Sequence, residues 1–484
     1  MARAGKAAVL ALDLGTSSVR ALVTDATGQA RDGVLARRPS GLEVDDDGRA
    51  ELDADAVVEA VAACIDELHE AGHLDGVELV ATSCFWHSIM GTDRAGKPVT
   101  PLLTWADARA TPVAVRLRSR TDPAALQART GCWPHALYWT AKLPWLAEQA
   151  STRPAAWAGM AEHLGRRLLG EPAMAVSMAS GTGLLDLGAA GWDAGALELA
   201  GVEASALPEV APAGWRGRLD AAGRRRWPAL AGAAWAPALG DGAAANLGAG
   251  CTTSDKAAVT IGTSAAIRVA GGRVDDRIDR RLWRYLIEHG RPITGMAMSA
   301  GGNLFGWATT ALALPEGDQL EAALAKVRPG AGVTALPYQA GSRPPLDLPG
   351  GSGVLAGLSL ATSPVELLAG LMESVCLGLA DGDDALAAGR GSGPRPAVVA
   401  SGGALLASGW WRQRLADALG RPVALLDASE LSAEGAAVAA LGGDLERDPV
   451  ATLAPEPGAP EAMAAARARR DELGARLGWD ATSG

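Results

Sequence analysis

The sequence has few aromatic residues and no paired cysteines. Phe occurs twice and Tyr three times, and aromatic residues make up 4% of the 484 positions, most of them Trp. The five cysteines, at positions 64, 84, 132, 251 and 376, are far apart and form no CxxC pair. An odd number of dispersed cysteines argues against a disulfide scaffold and against a zinc knuckle.

Long apolar runs and long basic runs are also missing. No stretch approaches the roughly 18 apolar residues of a membrane span. The first apolar segment is broken by Asp13 and Gly15, unlike the core of a signal peptide. The net charge of −11, from 55 acidic and 44 basic residues, disfavours nucleic acid or an anionic membrane as the main partner. We therefore expect a cytoplasmic protein with neither of these partners.

Two widespread catalytic signatures are absent, and a third matches the sequence pattern without the helix geometry that it needs. No GxxxxGK[ST] sequence occurs, which excludes the P-loop kinases, and no GxSxG sequence occurs, which disfavours an α/β-hydrolase. His69-Glu-Ala-Gly-His73 fits the HExxH zinc pattern. Because Gly72 should end the helix inside this motif, the two histidines should not share a helix face, and we expect no zinc site.

The first part of the chain has clear local signals. Strands are predicted over residues 7–12, 19–24, 29–37 and 77–82, with a hairpin turn at Asp25-Ala-Thr-Gly28. Asp53 is a candidate N-cap for a helix whose apolar positions recur at helical spacing.

An internal repeat divides the chain. Asp13-Leu-Gly-Thr-Ser17 and Thr260-Ile-Gly-Thr-Ser264 each lie between two apolar strands, and the second strand of each copy contains an Arg. The copies are about half the chain apart, which predicts a two-domain duplication with its boundary near 248–256. We expect an N-terminal domain over 1–250, a C-terminal domain over 251–445 and a helical tail over 446–484.

The repeated turns are typical of phosphate binding. A Gly-Thr-Ser turn presents backbone N–H groups and hydroxyls together, and two such turns across a cleft would hold a polyphosphate from both sides. Asp13 precedes the first glycine by two residues, where the second copy has Thr260. A single carboxylate at a phosphate clamp indicates a Mg²⁺ site, reached directly or through water. An ordinary glycine hairpin is the alternative for either copy alone.

A carboxylate lies between the two copies. Gly240-Asp241-Gly242 ends an apolar stretch, so Asp241 should stand at the end of a strand with bare backbone on both sides. That placement favours a general base for a substrate hydroxyl, with an ordinary turn as the alternative.

With these motifs the chain resembles the FGGY carbohydrate kinases. The two Gly-Thr-Ser turns look like the family's phosphate motifs, Gly240–Gly242 like the strand end with its catalytic base, and Ser401-Gly-Gly-Ala404 like its adenosine motif. The resemblance implies an α/β fold of two actin-like (ribonuclease H-like) ATPase domains around a central cleft. It also implies ATP and Mg²⁺ as cofactors, a small sugar or sugar acid as partner, and Asp241 as the catalytic base. A homodimer is left open.

Within this family the sugar-side segments are most similar to gluconate kinases, at 83–90, 103–109 and 130–143. The implied activity is the phosphorylation of D-gluconate to 6-phosphogluconate. Substrate contact is implied for His87, Ser88, Trp105, Asp107, His135 and Gly242. Nucleotide contact is implied for Gly15, Thr16, Ser17, Arg20, Gly262, Thr263, Gly302, Gly402 and Gly403, and metal contact for Asp13.

Several alternatives stay open at this point. Packing would also explain Trp86 and Trp105, and a salt bridge between Asp107 and Arg109 would fix a loop. The substrate could be xylulose, ribulose or glycerol. A sugar-binding regulator or an actin-like assembly protein is a further alternative, against which Asp13 and Asp241 both argue. The chain departs from the family pattern where relatives usually have Glu at the position of Ser342, which removes a carboxylate that would brace Arg343.

Overall fold

Two mixed β-sheets organise the two halves of the chain. The structure is a computed structural model and describes residues 8–149, 153–171, 173–330, 332–348, 350–390 and 393–479. One sheet is built from strands before residue 241 and the other from strands after residue 255, and each has its own hydrophobic core.

The N-terminal half contains thirteen described strands and nine helices. The strands are β1 (Ala8–Leu14), β2 (Ser18–Thr24), β3 (Ala30–Pro39), β4 (Glu43–Val44), β5 (Ala50–Leu52), β6 (Val77–Cys84), β7 (Met90–Thr92), β8 (Leu102–Leu103), β9 (Ala156–Ala158), β10 (Leu185–Asp186), β11 (Gly191–Trp192), β12 (Ala234–Trp235) and β13 (Leu239–Gly240). The helices are α1 (Ala54–Glu70), α2 (Thr111–Arg118), α3 (Pro123–Thr130), α4 (Trp139–Gln149), α5 (Met160–Leu169), α6 (Val176–Ser180), α7 (Ala194–Ala200), α8 (Ala221–Arg226) and α9 (Asp241–Gly248).

The C-terminal half contains nine described strands and seven helices. The strands are β14 (Lys256–Ile261), β15 (Ala265–Ala270), β16 (Trp283–Glu288), β17 (Arg291–Met298), β18 (Thr334–Leu336), β19 (Val354–Ala356), β20 (Ala397–Ser401), β21 (Val423–Leu425) and β22 (Ala451–Leu453). The helices are α10 (Gly302–Ala311), α11 (Gly317–Leu324), α12 (Pro364–Ala388), α13 (Gly403–Ala407), α14 (Gly409–Leu419), α15 (Leu431–Leu441) and α16 (Ala459–Arg476).

The two sheets share one topology. In the first sheet the order is β3-β2-β1-β6, and β12 and β13 both pair with the far side of β6. In the second sheet β17-β15-β14-β20-β21 repeats this order, with β16 and β22 added at the edges. In both, the first three strands are antiparallel and the following pairs are parallel. This repeat confirms the predicted fold class of two ribonuclease H-like domains.

The local predictions for the first part of the chain are confirmed. β1, β2, β3 and β6 match the predicted strands to within two residues at each end, except that residue 7 lies outside the described residues. Asp53 caps α1 by accepting hydrogen bonds from the N–H groups of Asp55 and Ala56. The helix ends at Glu70, before Gly72 with its φ of 71°, so His73 lies outside it. Across the described ranges, no cluster of three or more His, Cys, Asp or Glu residues could hold a metal ion.

A helix from the C-terminal half completes the N-terminal core. α15 packs on α9, and alanines of α15 belong to the same hydrophobic cluster as β1 and β6. The two helices are close because glycines face backbone: a Cβ on Gly435 would lie 1.8 Å from the Ala244 oxygen, and one on Gly248 would lie 2.0 Å from the Leu431 oxygen. The predicted C-terminal domain therefore supplies part of the wall behind α9.

The tail after residue 445 is both strand and helix. β22 extends the second sheet by pairing with β21 before α16 packs against α14. All five cysteines are buried and unpaired. Within the described part of the chain, no helix is both long and apolar enough to cross a membrane.

Candidate active site

Three neighbouring strands of the first sheet end at one level. Leu14 of β1 and Gly240 of β13 both lie beside Cys84 at the end of β6. The segments that follow these strands therefore emerge at the same edge of the sheet, where ligands bind in open α/β sheets. This brings the first Gly-Thr-Ser turn, the loop with His87 and the carboxylate of Asp241 together.

The second hairpin faces this edge across a cavity of about 310 Å³. Both Gly-Thr-Ser turns contribute to the cavity wall, as do Asp241, Gly242, His87 and Trp105. The predicted residues that the structure brings together here are Gly15, Thr16, Ser17, His87, Trp105, Asp241, Gly242, Gly262 and Thr263. The paired turns therefore form one site.

Asp241 is the first residue of α9 and is half-buried. Its carboxylate accepts a hydrogen bond of 2.8 Å from the N–H of Gly242. Burial raises the pKa of Asp241, and the nearby charge of Arg268 partly opposes this. The flanking glycines are required by packing, because a Cβ on Gly240 would lie 1.8 Å from the Trp86 ring and one on Gly242 2.9 Å from Arg268 Nε. A half-buried carboxylate with a raised pKa is suited to accept a proton.

Asp13 lies behind the first turn and is held by neighbours. Arg20 Nη1 lies 3.5 Å from the Asp13 carboxylate and 3.4 Å from that of Glu430. Burial raises the pKa of Asp13 to about 6, against the lowering effects of the nearby Ser83 hydroxyl and of Arg20. Arg20, predicted to touch nucleotide, does not line the cavity and instead links Asp13 to the segment before α15.

His87 enters the cavity wall from a left-handed backbone position with a φ of 70°. Its Nδ1 lies 2.5 Å from the Gly181 oxygen, and the buried Lys142 donates to its carbonyl oxygen at 3.4 Å. Burial lowers the pKa of His87 well below its ordinary value, so the ring is neutral and Nδ1 carries the proton. Nε2 has no hydrogen-bond partner among the described residues and is left as a free acceptor.

Three predicted substrate residues lie outside the cavity wall. The Ser88 hydroxyl accepts from the Met160 N–H at 3.1 Å and caps α5 instead. The His135 ring accepts from the Leu137 N–H and donates through Nε2 to the Leu346 oxygen at 3.2 Å, and burial lowers its pKa to about 3. These partners are distant in sequence or lie in the backbone, so the motif alone could not show how either side chain is oriented.

Asp107 also has a structural role. Its carboxylate is fully buried, accepts from the Ala50 N–H at 3.0 Å and pairs with Arg109 at 2.6 Å. Arg109 in turn pairs with Glu51. The alternative interpretation of this segment, a salt bridge that fixes the loop, is the one the geometry favours, and it leaves Trp105 alone from this segment in the wall.

The glycines that were predicted to contact nucleotide in the C-terminal half lie near one edge of the second sheet. Because Thr260 of β14 lies beside Ser401 of β20, Gly262 and Gly402 follow neighbouring parallel strands. A Cβ on Gly402, whose φ is 114°, would lie 2.4 Å from the Ile261 oxygen, whereas Gly403 has open space around it. The N–H of Gly302 donates to the Gly262 oxygen at 2.7 Å, so this glycine fixes the turn rather than offering a free donor.

Comparison with known proteins decides the family. The model of the N-terminal domain of the FGGY carbohydrate kinases matches residues 8–248, and the model of their C-terminal domain matches residues 257–442. The chain belongs to the FGGY family of carbohydrate kinases. It is therefore a phosphotransferase with an alcohol group as acceptor, a small sugar as substrate and ATP as co-substrate.

Individual relatives of this FGGY kinase differ in substrate. Gluconokinase of Bacillus subtilis (strain 168) is 26% identical over 457 residues, which cover 90% of this chain and 87% of the relative. Xylulose kinase of Streptomyces rubiginosus is 30% identical over 463 residues, covering 92% and 89%. The solved gluconate kinase of Lactobacillus acidophilus superposes with a TM-score of 0.85 at 23% identity, covering 98% of each chain, and supports the fold.

The residues of this FGGY kinase fit ATP and Mg²⁺ in different ways. The open space around Gly262 and Gly403 would admit phosphate and adenosine groups close to the backbone. For Mg²⁺ the predicted ligand is the Asp13 carboxylate, which pairs with Arg20 and does not itself line the cavity. That suits an ion which keeps several waters and takes its other ligands from substrate phosphates.

Sequence reasoning missed several residues of the cavity wall, among them two arginines and two aromatic residues. Arg268, Trp283, Tyr285 and Arg343 all line it. Trp283 and Tyr285 stack at 4.3 Å, and Tyr285 meets the Trp86 ring edge at 4.9 Å. Arg268 was visible in the repeat and Arg343 beside the departure at Ser342, but neither had a local signal for a cavity position.

Proposed function

We propose that this kinase transfers the γ-phosphoryl group of ATP to the terminal hydroxyl of D-gluconate, with Asp241 as general base. The single observation that carries the proposal is the position of Asp241, at the start of α9 and in the wall of the same cavity as both Gly-Thr-Ser turns. A base between two phosphate-binding turns can reach a hydroxyl that attacks the γ-phosphorus.

Different residues have different roles in the proposed reaction. Asp241 accepts the hydroxyl proton as the oxygen attacks, and its raised pKa makes it a stronger base than an exposed carboxylate. Backbone N–H groups of the two turns hold the phosphates, and the Nε2 of His87 accepts from a hydroxyl of the sugar. Mg²⁺, held through Asp13, would neutralise phosphate charge when bound.

The charge of the cavity supports a sugar acid over a neutral sugar. Among the described residues of its wall, Asp241 is the sole carboxylate, while Arg268, Arg281 and Arg343 are cationic. Arg281 is neutralised by Asp279 at 2.8 Å, which leaves an excess of positive charge. A substrate with a carboxylate would share this positive charge with the ATP phosphates, whereas a neutral sugar would leave it to the phosphates alone.

A xylulose kinase is the second candidate function. It is favoured by the 30% identity to the Streptomyces rubiginosus enzyme over 92% of the chain. Coupled ADP release with gluconate, xylulose, ribulose and glycerol separates the two. We expect the highest kcat/KM with gluconate, and a higher value with any of the neutral acceptors would contradict the assignment. An absence of ADP release with all four would favour a sugar-binding regulator instead.

A further inference from the structure

Two guanidinium groups of the cavity wall have no anionic partner. Nε and Nη1 of Arg268 and Nε of Arg343 are shielded from solvent and have no hydrogen-bond partner in the described part of the chain. Neither arginine forms an ion pair with a described residue, in contrast to Arg281. Unsatisfied buried donors are costly, so each of these groups is poised for an anionic ligand.

The two arginines line the same cavity from different elements. Arg268 stands on β15, directly after the second turn, and lowers the pKa of Asp241 more than Arg343 does. Arg343 lies 4.1 Å over the Trp105 ring. Its charge lowers the pKa values of His87 and Lys142, both on the sugar side of the cleft. Arg268 therefore lies on the side of the second turn, and Arg343 lies beside Trp105, within range of the charges of Asp241 and Arg268.

The loop with Arg343 is fixed across the domain interface. The Leu346 oxygen accepts from His135 at 3.2 Å, and Asp347 pairs with Arg118, so the loop is tied to the N-terminal half. Ser342 accepts from the Leu348 N–H at 2.8 Å and provides no carboxylate beside the guanidinium. Arg343 is thus held in place, and it forms no ion pair within the described part of the protein, although the charge of Asp241 acts on it.

We propose that Arg343 binds the carboxylate of the acceptor and so selects sugar acids over neutral sugars, an inference that rests on the proposed function. A guanidinium fork matches a carboxylate through two parallel hydrogen bonds, and the Trp105 face keeps the fork in orientation. With the terminal hydroxyl at Asp241, the carboxylate of an extended sugar acid would lie away from Asp241 in the same cavity, whose wall includes Arg343.

The test compares D-gluconate with D-glucitol, which has the same carbon chain and no carboxylate, and with D-xylulose. KM and kcat for gluconate and xylulose, and the inhibition constant of glucitol, are measured for the wild type, R343Q, R343K and R268Q. For R343Q we expect the KM of gluconate to rise about 10- to 100-fold, with little change for the neutral compounds and for ATP. R343K should lose less, because it keeps the charge without the fork. R268Q should instead lower kcat for every acceptor.

Each result separates the possible ligands of Arg343. If R343Q lowers kcat equally for gluconate and xylulose, Arg343 contacts the phosphoryl group and the proposal is overturned. The proposal is also overturned if R343Q has the same ratio of kcat/KM for gluconate to kcat/KM for xylulose as the wild type. Should R343Q fail to fold, R343K decides, since an unaltered gluconate KM there would exclude a bidentate contact. A wild type that phosphorylates no sugar acid contradicts the proposed function itself, and this is seen before any variant is made.

Discussion

The two Gly-Thr-Ser hairpins have the same backbone and different charges. In the first, Asp13 lies opposite Arg20 across the hairpin, and Arg20 is shared with Glu430. In the second, Thr260 lies opposite Ala266, while Arg268 lies two residues further along β15, opposite Ala258, without a partner among the described residues. The arginines of the sequence repeat are therefore not equivalent positions of the fold.

This difference shows how a duplicated fold becomes an asymmetric site. Topology places both turns at the same cavity, but single side chains decide that one hairpin offers a carboxylate and the other a free cation. The first is suited to hold a metal ion and the second to meet an anion. Asp241 follows a third strand and belongs to neither hairpin.

The largest effect is expected at Asp241. Asp241→Asn keeps the size of the side chain and removes the proton acceptor, and loss of a general base typically lowers kcat about 100- to 10,000-fold. ATP affinity should be retained, because the two hairpins are untouched. Steady-state kinetics together with calorimetric ATP titration measure both, and a near-normal kcat would show that the base lies elsewhere.

A matched pair of variants tests the asymmetry of the hairpins. Asp13→Asn should raise the Mg²⁺ concentration for half-maximal rate by about 10- to 100-fold, whereas Thr260→Val, at the matching position, should change it little. With a pKa of about 6, Asp13 takes up a proton as the pH falls from 7 to 5. The Mg²⁺ requirement of the wild type should therefore rise over this range and that of Asp13→Asn should not. Equal Mg²⁺ titrations for both variants would show that Asp13 does not hold the metal ion.

The same carboxylate should reduce stability at neutral pH. The pKa of Asp13 is about 6 in the native protein and is raised by burial from 3.8. Between these values the native state binds more protons than the unfolded state, so this group's contribution to stability falls as the pH rises. Asp13→Asn should be more stable to urea than the wild type at pH 7, and the difference should vanish below about pH 4. A less stable variant at pH 7 would mean that the Arg20 pair outweighs burial.

A smaller effect separates the two predicted histidines. His87→Ala removes a hydroxyl acceptor from the cavity wall and should raise the sugar KM by roughly 2- to 12-fold, with ATP KM unchanged. His135→Ala, outside the wall, should affect the sugar KM less, and only through the loop at Leu346. A larger rise in the sugar KM for His135→Ala than for His87→Ala would show that the sugar does not bind against His87.

The smallest effect concerns Lys142, which is buried behind His87. Burial lowers its pKa to about 7, so between pH 7 and 10 the unfolded chain binds the extra proton and stability rises with pH. Lys142→Met should flatten this rise in urea midpoints measured at pH 7 and 9. A variant with the wild-type slope would show that the ammonium titrates normally.

Local elements could be predicted from the sequence because their signals are local. Asp53 as N-cap, the apolar spacing of α1 and the repeated turns require no knowledge of distant residues. The approximate position of Asp241 also followed from its glycine neighbours, which Trp86 and Arg268 contact in the fold.

The orientation of single side chains could not be predicted in the same way. Ser88 and Asp107 lie in the segments most similar to sugar-contacting loops. In the fold, however, the Ser88 hydroxyl accepts from the Met160 N–H and the Asp107 carboxylate accepts from the Ala50 N–H. Conversely, Arg343 lines the cavity because its loop contacts the N-terminal half. These orientations depend on contacts between residues far apart in sequence.

The central claim, that this cavity phosphorylates gluconate, is tested most directly by competition. The wild-type enzyme receives equal concentrations of D-gluconate and D-xylulose with limiting ATP and Mg²⁺, and mass spectrometry follows both phosphorylated products. Their initial ratio is the ratio of the two kcat/KM values. The account predicts that phosphogluconate forms at least about tenfold faster, as expected when one charged contact is lost with the neutral sugar. An excess of xylulose phosphate would contradict it.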